Sequence, residues 1–576
     1  MLPHKSHPHA GHLTRRGVLA LGAGGVAACS APPASFTRTA EARAGTFAHG
    51  VASGDPGPES AVLWTRVSGV EGESVSVTCE VATRADFSDA KRIEAQAGPA
   101  RDYCVKVVPG GLQPGGLYHY RFRVGGEVSP AGQVRTLPRG AVEELRLAVV
   151  SCANWQQGYF HAYDHIARVH AERPFAAMVH LGDYIYEYGV REDAVRPHQP
   201  AHEIVSLADY RERHAQYRTD PGLQAATALM PIIPIWDDHE SANDAWKTGA
   251  QNHQPDTEGE WSARKSAAMR AYYEWMPVRD PDDPTHLWRS FSFGDLATLT
   301  CVETRLSNRA PSLAVEDYVE LFVDGRADEF RRDVLGDPKR EMFGEAQREF
   351  ILRSFERSKR DGQPWRVLAN QVIMARLLTP DLNPYVPVEA LDEIRTQWEG
   401  IDDFMLMSSF NVPLYPDSWD GYPAARDVFY DELRAAGIHD MLVLTGDAHE
   451  FWASNLTHRD GERMGVELVT SSVSSETLAR FLGSNTGDFN LLLTRENADA
   501  KFYDATVNGY LDLTLTPESA RAEMVAVQGV KTPDYTVERA AAFTVRRKRE
   551  DGRDTLKLGS PKGLNLKQRL LFSGLA

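Results

Sequence analysis

Met178–Tyr188 reads MVHLGDYIYEY, a largely apolar run that delivers Gly182-Asp183 into a turn, with Tyr186 three residues beyond the aspartate. A buried strand of the Ala177–Leu181 type ends where its carboxyl edge meets solvent, and in open α/β sheets that edge is where ligands sit. Glycine lets the backbone turn there without a Cβ clash. An aspartate on such a turn can offer its two carboxylate oxygens to two cations, and a tyrosine one helical turn later can reach the same point as a phenolate. Asp183 and Tyr186 are therefore the first candidate metal ligands. The competing reading is a strand-to-helix cap by Asp183 with a core tyrosine behind it.

Three more apolar runs end in polar clusters: Ser151-Cys152, Asp237-Asp238-His239-Glu240 with Asn243 close behind, and Gly446-Asp447-Ala448-His449. Such endings on several buried strands reinforce one another. A thiolate at Cys152 beside a phenolate and carboxylates suits a trivalent or soft metal and not Mg²⁺. Thiol and phenol have ordinary pKa values of about 8.5 and about 10, so only a strongly charged ion, Fe³⁺ above all, keeps both ionised near neutrality. Asp238 fits a harder second cation such as Ca²⁺, with Asn243 as a carbonyl donor. Asp447 and His449, two apart, point to one side of an extended segment and can serve one metal each. His239, whose type titrates near working pH, is the candidate catalytic residue, donating a proton to a leaving oxygen.

The chain has 576 residues, 42% hydrophobic and 25% charged, as in a soluble globular protein of two or three units. Its formal charge of −17 excludes an electrostatic nucleic-acid surface and suits a collector of cations. Residues 1–44 read as a targeting segment. Thr14-Arg15-Arg16-Gly17-Val18-Leu19 is a twin-arginine pattern, followed by the weakly apolar run Leu19–Ala28, which is too short to span a bilayer. That pattern makes the Tat export machinery an expected partner and gives a periplasmic, secreted or cell-surface destination. Two processing points compete: Val26-Ala27-Ala28-Cys29 resembles a lipobox, with Cys29 as lipid anchor, and Ala40-Glu41-Ala42 is an A-x-A cleavage site. Cys79 and Cys104 form a candidate disulfide in an oxidising compartment, and Cys301 reads as a buried core residue.

From 45 to 138 the runs Ala61–Val67, Val75–Ala82, Tyr103–Val108 and Tyr118–Val124 are rich in Val, Tyr and Thr and are punctuated by Gly-Pro clusters. They predict a small antiparallel sandwich. After Thr136-Leu137-Pro138 strands alternate with helices: Leu145–Val150, Pro231–Trp236 and Met441–Leu444 are strands, and Asp427–Ala436 is an amphipathic helix ended by Gly437. Leu377–Tyr422, rich in Pro, Asp and Met, predicts a rim or lid over the site.

The sequence resembles the PhoD-type alkaline phosphatase and phosphodiesterase family of the calcineurin-like metallophosphoesterases. The resemblance is carried by Gly50–Pro56, Leu63-Trp64-Thr65-Arg66, Ser151-Cys152, Gly182–Tyr186, Trp236–Glu240, Asn370-Gln371, Trp419–Tyr422 and Thr445–His449, spread over residues 46–515. It implies an α/β (α+β) two-sheet metallophosphoesterase sandwich with helices outside, at 139–530, preceded by an all-β fibronectin-like domain at 45–138 and followed by an extension at 531–576. It also implies Fe³⁺ and Ca²⁺ cofactors: Cys152 and Tyr186 on iron, Asp183 bridging, and Asp238 or Asn243, Asp447 and His449 completing the cluster, with the division of these last between the ions left open. Glu303-Thr304-Arg305 stands where relatives tend to have Asp-Thr-Arg, and Asn370-Gln371 where they tend to have a Gln pair. Asn370 is thereby marked as a substrate-binding candidate. The activity implied is hydrolysis of a phosphate ester by metal-activated hydroxide. A phospholipase D-like action on lipid diesters, with an acyl chain along Met405, Leu406, Met407 and Phe410, is the alternative, and a non-catalytic surface binding protein is a further one.

Overall fold

The computed structural model describes residues 34–37, 46–314, 318–386, 388–395, 401–482 and 486–564. The twin-arginine motif, Cys29 and the A-x-A site lie outside the described residues. The catalytic unit is built on two stacked sheets. In the first, Leu145–Val150, Ala177–His180 and Ile232–Pro234 run parallel side by side, with Val149 opposite Val179 and Val179 opposite Ile233. In the second, Ala297–Cys301, Trp365–Ala369, Met441–Thr445 and Arg463–Val469 are parallel neighbours.

These strands read as continuous apolar runs because both of their faces are covered. On Met441–Thr445, Leu442 and Leu444 join the core shared with Val149, Val179 and Ile233, while Met441 and Val443 join a second core. That second core is closed by Ile351 and Phe355 of helix Glu345–Arg360 and by Phe429 and Leu433 of helix Pro423–Ala435. Alternation of period two thus puts one set of side chains between the sheets and the other under the outer helices. Helix Pro423–Ala435 begins four residues earlier than the sequence pattern predicts, because Pro423 stands at its first position, where its missing N–H costs nothing.

Residues 46–138 have their own core, including Val77, Cys79, Tyr120 and Phe122, and a five-stranded sheet. They are not a free-standing sandwich, however. Strands Val51–Gly54, Val62–Arg66 and Cys104–Val107 extend the first catalytic sheet through the pairing of Gly54 with Ile232. Cys79 and Cys104 are both free thiols, so the expected disulfide is absent. The reason is topological: Cys79 lies in the small sheet's core, and Cys104 packs with Ala52, Trp64 and Trp275 under the large one. Cys301 is a buried core residue, as its apolar run predicts.

The extension also differs. Asp534–Glu550 pairs along Ser519–Gln528, and Arg553–Leu558 pairs with it in turn, so both are strands of the eleven-stranded sheet and belong to the catalytic unit. Ala541, Phe543 and Val545 supply the buried face, which the exposed Arg546-Arg547-Lys548-Arg549 run disguises in the sequence. The expected rim is also more ordered than its composition suggests. It carries helices Val388–Arg395 and Ile401–Ser408, and Met407 and Phe410 pack with Tyr318, Phe322 and Phe330.

Candidate metal centre

The carboxyl ends of four parallel strands, three from the first sheet and one from the second, meet at one point. Leu145–Val150 leads to Cys152, Ala177–His180 to Asp183, Ile232–Pro234 to Asp237 and Asp238, and Met441–Thr445 to Asp447 and His449. The approach is close: a Cβ on Gly446 would stand 2.8 Å from the Ser151 Cβ and 3.2 Å from the Leu181 Cβ, so three strand ends abut there. The backbone is bent hard to aim the side chains. Cys152, Asp183, Asp447 and His449 all have left-handed φ, between 55° and 62°. Such conformations cost non-glycine residues about 1–3 kcal/mol each and persist where the surroundings hold them. Here the Cys152 N–H donates to the Gly182 carbonyl at 3.1 Å and the Ala153 N–H to the Asp183 carbonyl at 2.9 Å. The Glu240 carboxylate accepts from the N–H groups of Asp183, Tyr184 and Asp237 at 3.1, 2.6 and 2.8 Å, tying two loops together.

Three donor groups overlap on Asp183. Ligand atoms of Cys152, Asp183 and His449 lie within 4.8 Å of one another, as do those of Asp183, Asp238 and His239, and those of Asp183, Asp237, Asp238 and Asp447. The Tyr186 hydroxyl donates to Asp183 Oδ2 at 3.0 Å, lies 3.2 Å from His449 Nε2, and accepts from Ser475 Oγ at 2.7 Å. His449 Nδ1 is 2.9 Å from the Glu476 carbonyl oxygen, which fixes the tautomer that turns Nε2 inward. Burial and the neighbouring His239 hold His449 down at about 3, so the ring is neutral, the form that ligates metals.

The donor set fits cations and little else. Asp183 Oδ1, Asp237 Oδ2, Asp238 Oδ1 and Asp447 Oδ1 are buried without a hydrogen-bond partner. Burial first, and then mutual repulsion, push Asp183 and Asp237 well above the usual carboxylate range and Asp447 to about 7. Burial and the Asp183 carboxylate likewise raise the Cys152 thiol and the Tyr186 phenol. The counter-charges within the protein are His239, which acts to lower Asp183 and Asp238, and Arg305, fully buried, whose guanidinium pairs with Asp237 and Asp417 and approaches Asp238 at 3.6 Å and Asp447 at 3.5 Å. Two such groups do not balance these carboxylates, and unpaired buried charge is costly. Thiol, phenol, imidazole and carboxylate converge at one end, which suits a trivalent or soft ion, and carboxylates alone at the other, which suits a hard one.

His239 stands beside this centre. Burial opposes its charge, yet the Glu187, Asp238 and Asp183 carboxylates outweigh burial and hold the imidazole well above 6.5. Of the residues the sequence marks, Cys152, Asp183, Tyr186, Asp238, His239, Asp447 and His449 are brought together. Asn370 is not, and Asn243 has its two nitrogens engaged beside the cluster. The Asn243 side-chain amide donates to Gln251 at 3.0 Å and its N–H to Glu187 at 2.7 Å. Asn370 is fully buried, with its amide on the Val372 carbonyl and its oxygen 3.4 Å from Trp419 Nε1, a strand-end clamp with no face left for substrate. Glu303 is equally internal, accepting from Trp236 Nε1 at 2.9 Å and from the N–H groups of Arg305 and Leu306. Asp237, Arg305 and Ser475 are the additions. The first two sit in stretches the sequence reading quotes, and only their partners reveal their part.

A family model described as PhoD-like phosphatase matches residues 147–524, and one described as its N-terminal domain matches residues 30–138. The chain belongs to the PhoD-like phosphatase family. Alkaline phosphatase D of Bacillus subtilis (strain 168) is 33% identical over 530 residues, 87% of this chain and 81% of that protein. A solved structure of PhoD superposes with a TM-score of 0.72 at 30% identity, covering 92% of this chain and 96% of that one. This PhoD-like phosphatase is a phosphoric ester hydrolase with clustered groups able to hold metal ions.

Gly182 offers a direct test of how tightly the centre is built. Its φ is +105°, and an added Cβ would meet Asp237 Cβ at 2.4 Å and Asp237 N at 2.6 Å. Gly182→Ala is expected to cost at least ~2 kcal/mol in urea unfolding and to lower kcat/KM about 100-fold, because a shift near 1 Å suffices for that loss. Activity within twofold of the parent would show that the turn tolerates displacement.

Proposed function

We propose that the centre holds Fe³⁺ and Ca²⁺ and hydrolyses phosphate esters directly, without a phosphoenzyme. Cys152, Tyr186, Asp183 and His449 would hold iron, and Asp238 and Asp447, with Asp237 beside them, the calcium, Asp183 bridging the two. The observation that carries this is the overlap of a thiol–phenol–imidazole group and an all-carboxylate group on the single carboxylate of Asp183. When bound, the cations supply Lewis acidity toward phosphoryl oxygens and lower the pKa of water. The residues supply the rest. Arg305 pairs with Asp237 and so sets the direction in which that carboxylate faces. His239, packed at 4.2 Å between ring centroids on Tyr186, donates to the departing oxygen.

The substrate is a phosphate ester, and a small leaving alcohol is favoured over a diacyl lipid. Met405 and Met407 of the rim are buried and Phe410 packs inside a loop core, so of the four apolar side chains named for an acyl chain Leu406 alone is exposed. Export through the Tat route, with release or lipid anchoring at Cys29, completes the proposal on the strength of the leader sequence alone. Elemental analysis of the exported protein, paired with rates on 4-nitrophenyl phosphate, bis(4-nitrophenyl) phosphate and phosphatidylcholine, tests it. Iron and calcium are expected, with both nitrophenyl esters cleaved at least about tenfold faster than the lipid. Zinc alone, or preference for the lipid, overturns the assignment.

A further inference from the structure

We infer that Glu187 is a positioning residue for the proton that His239 delivers, an inference that rests on the leaving-group role given to His239 above. Glu187 is fully buried and spends both carboxylate oxygens. Oε2 lies 2.6 Å from His239 Nδ1, and Oε1 accepts from the Asn243 N–H at 2.7 Å and from Asn252 Nδ2 at 2.9 Å. A carboxylate only accepts, so Nδ1 carries its proton toward Glu187 and Nε2 is the nitrogen left for the cluster of Asp183 and Asp238. The ring is also confined: Tyr186 lies against it at 4.2 Å with the rings tilted by 33°, and Tyr188 meets it edge-on at 5.2 Å between centroids. Two aromatic walls and one carboxylate leave the imidazole a single orientation.

The step this serves balances simply. As a water-derived oxygen bonds to phosphorus and the bond from phosphorus to the leaving oxygen breaks, the electron pair of the broken bond goes to the leaving oxygen, which takes the Nε2 proton. The ring is left neutral, with its Nδ1–H still bonded to Glu187. The carboxylate therefore does two things: it aims Nε2, and it keeps the Nδ1 proton in place while the Nε2 proton leaves. Both matter most when the leaving alcohol is a poor one, because a good leaving group departs without protonation.

A purely architectural Glu187 would act differently. It would anchor the 243–252 segment through Oε1, and its loss would slow every ester alike. The test separates these. Glu187→Gln, Glu187→Asp, His239→Gln and Asn252→Ala are compared as metal-loaded protein on a series from 4-nitrophenyl phosphate to phenyl and methyl phosphate, with metal content measured on each. Glu187→Gln is expected to lose about 100-fold on methyl phosphate and less than about fivefold on 4-nitrophenyl phosphate, in the range of outer-shell partners. His239→Gln is expected to show a steeper split of the same sign, and Asn252→Ala a small loss equal on all three. Glu187→Asp, which keeps the charge, should recover part of the methyl phosphate rate. A steep split for His239→Gln with a flat loss for Glu187→Gln overturns the inference and leaves the role of His239 standing. Flat losses for both overturn the two together. If Glu187→Gln does not fold, Glu187→Asp carries the decision by the same split.

Discussion

Asp183→Asn is expected to purify as a folded protein with turnover reduced at least about 10³-fold and with iron lost from the centre. The expected loss exceeds the 10–100-fold typical of residues that merely support a ligand, because Asp183 is the one carboxylate common to all three donor groups. Asparagine keeps the shape but removes a charge and one acceptor oxygen. Its amide would sit where Asp183 Oδ2 now accepts from the Tyr186 hydroxyl, or where Asp183 Oδ1 now stands buried without a partner. Either orientation leaves the iron side with a neutral donor at best. The fold itself should survive. Asp237, Asp238 and Glu240 all repel Asp183, so neutralising it relieves strain in the metal-free protein. Elemental analysis, thermal unfolding and rates on 4-nitrophenyl phosphate read all three quantities on one sample. A variant with full metal and parent-like turnover would remove Asp183 from the centre of the mechanism.

Stripping the metals should make stability depend steeply on pH, in the direction opposite to most carboxylate-rich proteins. Burial, ahead of neighbouring charge, places Asp447 and Asp244 at about 7 and Glu240 at about 8, and holds Asp183 and Asp237 well above the usual range. The unfolded chain titrates the same groups near 4. Between these values the five carboxylates bind more protons in the folded state than in the unfolded one, so their contribution is fully present below about pH 4 and is lost as pH rises through the folded values. The buried neutral histidines, such as His449, act in the opposite sense only below about pH 7. A gap of some three units in one carboxylate is worth on the order of 4 kcal/mol. Chelated protein is therefore expected to melt on the order of 5 °C lower at pH 8 than at pH 7. Readdition of calcium and iron should restore the midpoint most strongly at pH 8, since cations displace those protons. A chelated protein whose midpoint stays level from pH 7 to pH 8 would mean that the carboxylates are not a strained cluster.

Most of the candidate site is legible in the sequence because the strands that carry it are buried on both faces. Such strands read as unbroken apolar runs, and the polar residue that follows each one is conspicuous. Asp183 after Leu181 and Asp447 after Thr445 need no structure to be noticed. Asn370 follows the same rule, standing directly after strand Trp365–Ala369, yet the structure turns it inward to Val372 and Trp419. Position at a strand end marks a residue as a candidate, but the side-chain partners decide whether it faces ligand or clamps the loop. Arg305 and Glu187 escape for the reverse reason. Both stand in conspicuous stretches, Glu187 within Met178–Tyr188 and Arg305 within Glu303-Thr304-Arg305, but their significance lies in carboxylates and imidazoles distant in the chain. The two thiols of Cys79 and Cys104 show the limit plainly, since nearness in sequence places them in different sheets.

By itself, the sequence determined the local elements and the chemistry at their ends. Hydrophobic period and turn residues are properties of a few neighbouring positions, so strands such as Leu145–Val150 and the glycine turn at Gly182 follow from them directly. Only the tertiary structure decided which ends meet. Convergence of Cys152, Asp183, Tyr186, Asp238 and His449 depends on two sheets stacking about 10 Å apart with their carboxyl edges aligned. It also depends on the Gly446 backbone approaching Ser151 closely enough to exclude any side chain between them. The same long-range packing recruits Asp534–Glu550 into the catalytic sheet and joins the small sandwich to it at Gly54 and Ile232. Those contacts pair residues hundreds of positions apart, where no local pattern records the partner.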